Sequence, residues 1–315
     1  MNVGIAVFRK AIIAENCMTF HTHELTPLET QYFLQHLIAP RPIALASTID
    51  EEGNVNLSPF SFFNMVSANP PIVIFSPSRR LRNNTTKHTL DNIRVIPEVA
   101  ISIVTHEIVH QVSLASCEYP KATDEFIKAG FTKKKSSFIA PPMVAEAKAS
   151  FECKVNEIKS LGDKGGAGQL VIAEVLCIHI DDALLTHDNK IIQEKIGHVA
   201  RMGDDWYARI TVADLFSIQK PGKHPGIGFE ALPESFRHSE VLTGNHLARL
   251  ANVSVLPVRE IGFKDERHEA ILQYFKPENN LLKRIHLYAK ELIDDGKIEQ
   301  AWQVLLADSS FERKH

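Results

Sequence analysis

Between Arg41 and Asp91, small hydroxyl and amide side chains gather at the ends of short apolar runs, and cations follow close behind. Ser47, Thr48, Asn56, Ser58 and Ser61 carry donors and acceptors suited to a polar ring edge, while Arg79, Arg80, Arg82 and Lys87 can neutralise a phosphate. The combination suits a flat aromatic ligand with an anionic tail, and a phosphorylated flavin fits that description. Ser47 and Thr48 also serve a plainer purpose if their hydroxyls only satisfy turn backbone groups. The arrival of Asn56, Ser58 and Ser61 on the adjoining strand favours ligand contact. Arg82 is open to two readings, phosphate contact or solvated surface.

The elements that must position these residues are legible in outline. TPLETQYFLQHL, Thr26 to Leu37, has a capping residue, a proline at the first helical position and Glu29 three residues after the cap, which predicts a helix ended by Pro40 and Pro42. Ile43–Ile49 and Val55–Leu57 bracket a turn at 50–54 and read as a hairpin. Pro59 interrupts the second strand, which implies a bulge or a sheet edge. Pro71–Phe75 is apolar throughout and reads as a strand buried on both faces. A short helix over Thr86–Arg94 and a strand over Val99–Val104 follow. His106–Ser116 and Thr123–Ala129 carry helical periodicity, whereas Ala149–Ser160 and Leu170–Asp181 alternate as half-buried strands. The glycine run Gly162, Gly165, Gly166 and Gly168 between them lacks any nucleotide-binding register and reads as a long hairpin loop. The absence of a repeated βαβ rhythm favours an antiparallel barrel.

RPIALASTID, GNVNLSPFSFF, PPIVIFSPSRR and KHTLDNI, in that order, resemble the flavin reductase-like, FMN-binding split-barrel family, close to its flavoredoxin branch. Later segments agree: DEFIKAGFT, the APP at 140–142, SFECKV, LVIAEVLCIHIDD and RMGDDWYARI, so the resemblance spans about residues 22 to 210. It implies a mainly β protein, a Greek-key-like split barrel with peripheral helices. It also implies that Ser47, Thr48, Asn56, Ser58, Pro59, Phe60 and Ser61 lie around the flavin ring and ribityl chain. Ser76, Ser78, Arg79, Lys87 and Thr89 would lie around the FMN phosphate, where a helix start and cations make a natural anion site. The family usually has Asp where His88 stands. In RMGDDWYARI, Trp206 and Tyr207 are either core residues or, as in the family, approach a flavin across a dimer.

The expected activity is flavin-mediated electron transfer from NADH or NADPH to free flavin, oxygen or a protein acceptor, with the cofactor carrying the chemistry. Alternatives are a non-catalytic, flavoredoxin-like electron carrier reduced by a partner protein, or an oxidase of a small organic substrate. A homodimer is implied by the family.

Bulk properties bound these readings. The 315 residues hold 35 basic and 38 acidic side chains, so no broad cationic field exists for nucleic acid or membrane surfaces. The four cysteines, Cys17, Cys117, Cys153 and Cys177, form no CxxC pair, which points to a reducing cytoplasm and makes Cys153 and Cys177 buried hydrophobes. His21 with His23, and His106 with His110, lack companion ligands for a metal site. MNVGIAVFRKAIIAENC has no signal-peptide layout, and no apolar run is long enough to span a membrane. Residues 1–215 are assigned to the barrel and 216–315 to a C-terminal extension. That extension begins with a Pro/Gly-rich connector from Lys220 and ends in a helical hairpin, about Asn279 to Asp294 and Lys297 to Ala307. Its sequence resembles half of a tetratricopeptide unit, and one unit cannot stack into a solenoid.

Overall fold

A computed structural model describes residues 18–218, 225–275 and 280–307. The opening segment and Asn279 therefore lie outside the described residues, as does part of the expected connector. The rest divides into two compact units, one within 18–216 and one from 217 onward.

In the first unit the capping box at Thr26 forms as the sequence requires. Its hydroxyl accepts from the Glu29 amide and the Glu29 carboxylate accepts from the Thr26 amide, starting α1 at Pro27–Leu37. The strands β1 (Ala44–Ile49), β2 (Val55–Phe60), β3 (Phe63–Ala68), β4 (Pro71–Phe75) and β5 (Glu98–Ile103) follow, with α2 (His88–Val95) before β5. Next come α3 (Val109–Ala115), α4 (Glu125–Ala129) and the short pair β6 (Lys133–Lys134) and β7 (Met143–Val144). The long hairpin β8 (Ala149–Ser160) and β9 (Gln169–Ile180) leads to the small ribbon of β10 (Val199–Arg201) and β11 (Tyr207–Arg209).

Seven strands form one antiparallel sheet in the order β2-β1-β5-β8-β9-β4-β3. Because strand side chains alternate faces, β1 feeds two cores. Ala44 and Ala46 join Phe60, Phe75, Val99, Ile101, Cys153 and Val171, an interior to which six strands and α2 contribute. Leu45 points the other way, to Leu57, Val112 and Phe126 under α3 and α4. Burial pushes the Cys153 thiol up to about 12, so it packs as a hydrophobe, while Cys177 is only half-buried.

Pro59 does sit on an edge strand, where its missing N–H removes no ladder bond. The edge is partly covered: buried Glu125 of α4 accepts the Leu57 amide at 2.9 Å. Sequence periodicity did not reveal β3, whose FNMVSA segment lacks alternation and leaves Met65 and Val66 exposed. Pairing with β4 holds it in place. The helix expected over His106–Ser116 is shorter, beginning only at Val109.

Glu152 of β8 staples the 136–139 segment to the sheet. Its carboxylate, fully buried, accepts from the amides of Ser137, Phe138 and Ile139 and lies 2.7 Å from His179 Nε2. Burial works to raise its pKa, but these bonds outweigh it and hold the group below its ordinary 4.5.

The second unit is helical, and two helices fall within the described part of the stretch expected as a Pro/Gly-rich connector. α5 (Glu234–Arg237) and α6 (Gly244–Ala251) lie within it, and Leu232, Phe236, Leu242 and Leu250 are buried with α7 (Glu266–Tyr274), α8 (Leu281–Asp294) and α9 (Ile298–Leu306). Pro and Gly mark turns between very short helices rather than a strap. Trp302 anchors the core and donates its indole N–H to the Leu250 carbonyl at 3.2 Å. Gly296, at φ 82°, makes the turn between α8 and α9, with the Lys297 amide bonded back to the Leu292 carbonyl. No helix among the described residues is long and apolar enough to cross a membrane.

Replacing Glu152 by Gln puts an amide N–H against peptide N–H groups. Chemical denaturation at neutral pH is expected to show a loss of about 1–3 kcal/mol. Because the carboxyl pKa is depressed, its contribution is full above the ordinary carboxylate range and is lost as pH falls through the lowered value. The variant should lack that part of the acid sensitivity; an unchanged denaturation midpoint would remove the staple from the account.

Candidate functional site

The cations converge where the chain leaves β4 and enters α2. A shallow cleft is lined there by Asn56 and Ser58 of β2, Arg80, Lys87, His88 and Thr89, and by Ser116, Glu118, Tyr119 and Glu125 across from them.

Each wall has a local cause. The 79–81 segment lies against the β8–β9 hairpin loop: the Arg79 amide donates to the Ala167 carbonyl at 2.9 Å, and the Gly166 amide to the Arg79 carbonyl at 3.0 Å. A Cβ on Gly165 would sit 2.9 Å from the Leu81 carbonyl oxygen, so this approach requires glycine. The run therefore buttresses the 79–81 segment from behind. α2 is fixed by two buried amides. Asn92 Nδ2 donates to Thr48 Oγ1 at 3.1 Å, and Asn56 Nδ2 to Thr89 Oγ1 at 2.8 Å, tying the helix to β1 and β2.

Arg80 is held on three sides. Its Nε donates to Glu118 Oε1 at 2.8 Å, and one terminal nitrogen donates to Thr85 Oγ1 and to the Thr86 carbonyl. Lys87 differs: among the described residues its half-buried ammonium has no hydrogen bond and no ion pair. Burial and the neighbouring Arg80 push its pKa down, with Glu118 acting in the opposite sense. α2 itself begins at Lys87 with no side-chain cap, so its first amides also lack a protein acceptor of that kind. His88 is kept toward its neutral form by burial and by Arg80. Burial pushes the pKa of Glu125 up, while the bond to Arg80 pulls that of Glu118 down.

Of the twelve residues singled out from the sequence, Asn56, Ser58, Lys87 and Thr89 line this cleft. Thr48 stands behind it, fully buried, its hydroxyl accepting from Asn92. Ser47, on the same strand, is buried, and its hydroxyl has no hydrogen-bond partner among the described residues. Phe60 packs in the interior core, and Ser61 lies 3.5 Å from the Nε of buried Arg41, whose other nitrogens hold the carbonyls of Gln35, Ile38 and Met202. Pro59 stays in the β2 ladder, and neither Ser76 nor Ser78 borders the cleft. Arg79 spends its guanidinium on Asn84, donating to Oδ1 at 2.6 Å and to the carbonyl at 2.5 Å. The cleft cation is its neighbour Arg80. Sequence reasoning did not single out Glu118, Ser116, Tyr119 or Glu125, which come from a loop and a short helix distant in the chain.

One further cluster brings together Glu152, Cys177 and His179, whose ligand atoms lie within 4.8 Å of one another. The Glu152 oxygens are already taken by three amides and the imidazole, which accounts for the group as a staple.

The pattern of the flavin reductase like domain matches residues 37–193. An uncharacterized protein of Aquifex aeolicus (strain VF5) is 35% identical over 173 residues, which cover 55% of this chain and 86% of that one. Among solved structures, nitrilotriacetate monooxygenase component B from Bacillus cereus is similar with a TM-score of 0.61 and 26% identity, covering 65% of this chain and 100% of that one. A protein with a split barrel domain from Shewanella frigidimarina NCIMB 400 is similar at a TM-score of 0.55 and 26% identity, with coverage of 65% and 100%. The first unit is thus a split barrel of the flavin-binding kind. The chain belongs to the flavin reductase-like family, and its broad role is flavin-linked redox chemistry. The domain match ends at 193, so the helical unit lies outside it.

Replacing Asn92 by Ala strands the buried Thr48 hydroxyl and opens the joint between α2 and β1. Urea titration is expected to show a loss of about 1–3 kcal/mol; wild-type stability would mean the tie contributes nothing.

Proposed function

We propose that the cleft holds the phosphate and ribityl chain of FMN and that the protein is an NAD(P)H-dependent flavin oxidoreductase. The observation that carries this reading is Lys87, a half-buried ammonium with no partner among the described residues, beside Arg80 and an uncapped helix start. Glu118 already answers Arg80, which leaves Lys87 without a hydrogen-bonded anion among the described residues, and a phosphate would answer Lys87, Arg80 and the first amides of α2 together.

The residues present fit that group. Lys87 and Arg80 would hold phosphate oxygens, and Asn56 and Ser58 would meet the ribityl hydroxyls. When bound, the flavin supplies the redox chemistry, accepting a hydride from reduced nicotinamide and passing electrons to an acceptor. The chain's own part is to fix the phosphate end, so that the ring is oriented by the strand ends rather than by an acid–base pair. The exposed Met65 and Val66 of β3, with Phe62 just before it, support a homodimer, and the near-balanced charge supports a small-molecule ligand over nucleic acid.

Replacing Lys87 by Ala should weaken FMN by about 10- to 100-fold, the size of a lost charge-assisted contact, and leave riboflavin nearly unchanged. Equal losses for both ligands in a fluorescence titration would dismiss the phosphate assignment. Anaerobic titration of the FMN-loaded protein with NADH and then NADPH tests the activity. Rapid bleaching of the visible flavin band by either nucleotide is expected. A flavin that stays oxidised until dithionite is added would instead favour a carrier reduced by a partner protein or an oxidase with its own substrate.

A further inference from the structure

We propose that Glu118 is an internal counter-ion that occupies the anion seat beside Arg80, so that a ligand's phosphate must displace it and the flavin binds as an exchanging ligand. This rests on the phosphate reading above. Glu118 Oε1 takes the Arg80 Nε at 2.8 Å, while Oε2 lies 3.3 Å from a terminal nitrogen of Arg82. Arg80 is pinned elsewhere, by Thr85 and the Thr86 carbonyl, so the movable member of the pair is the glutamate.

Its setting allows that movement. Glu118 follows α3 in a segment whose backbone bonds are local: Cys117 to Leu114, Tyr119 to Cys117, and Thr123 to Pro120. The Glu118 side chain is 46% exposed against 16% for Arg80. A displaced carboxylate is therefore readily hydrated, whereas an abandoned guanidinium is not. The remaining groups around the seat are Lys87 and His88 at the start of α2, Asp91 one turn on, Arg82, and Lys121 and Glu125 from the opposite side. Glu118 and an incoming phosphate would share one small cleft as like charges, so occupancy by one excludes the other. The exchange replaces a monoanion by a phosphate that Lys87 can also reach, which favours the ligand by a modest margin.

The test compares the full chain with its Glu118→Gln and Glu118→Ala variants, titrated with FMN and with riboflavin at one fixed salt concentration. Both variants should bind FMN about tenfold tighter, release it more slowly and leave riboflavin within about twofold of wild type. Circular dichroism of each variant confirms that folding is intact, and the two substitutions guard against one failing to fold. FMN affinity that is unchanged or weaker in the variants overturns the proposal and makes Glu118 a support that positions Arg80. Wild-type protein that binds FMN no better than riboflavin would remove the phosphate reading itself, and this proposal with it.

Discussion

The first unit is organised around a repulsion. Arg80 and Lys87 are brought to one cleft, where their like charges oppose each other and Glu118, paired with Arg80, offsets part of that repulsion. The fold enforces that proximity from both sides. Behind Arg80, the glycine-bearing turn of the β8–β9 hairpin presses on the 79–81 backbone. Behind Lys87, α2 is anchored to β1 and β2 by Asn92 and Asn56, and its Leu90 and Ile93 are sunk in the interior core. Glu118 answers Arg80 from within the chain, and Lys87 is left with no hydrogen bond or ion pair among the described residues.

Two charged groups illustrate how burial and partnership separate structural from functional roles. Glu152 is more deeply buried than Lys87, yet its oxygens are saturated by three amides and an imidazole, and its pKa is lowered despite the burial. Nothing is left over for a ligand. Lys87 is only half-buried but lacks any such partner among the described residues, and its pKa is displaced toward the neutral form. Satisfied charges hold folds together, and unsatisfied ones wait for something to bind.

Local signals were legible where the physics is local. The Thr26 and Glu29 capping box, the period-two alternation of β8 and β9, the buried run of β4 and the edge position of Pro59 were all readable from the chain. β3 was not, because its stability comes from pairing with β4 rather than from its own pattern. The closing hairpin of α8 and α9 was readable, but α5, α6 and α7, four to nine residues long, were obscured by the proline and glycine around them. At the site, the family resemblance pointed to Arg79, whereas Arg80 is the arginine that lines the cleft. Adjacent residues in an extended segment point in opposite directions, and only the contact with Asn84 shows which one turned away. Glu118 was invisible for a different reason: its importance comes from an arginine 38 positions away in the chain.

A crystal structure of the protein grown with FMN addresses the central claim most directly. The account predicts phosphate oxygens within hydrogen-bond distance of Lys87 Nζ, Arg80 and the first amides of α2, with the Glu118 carboxylate turned away from Arg80. A phosphate bound elsewhere, with Lys87 still lacking a partner and Glu118 still on Arg80, would contradict it.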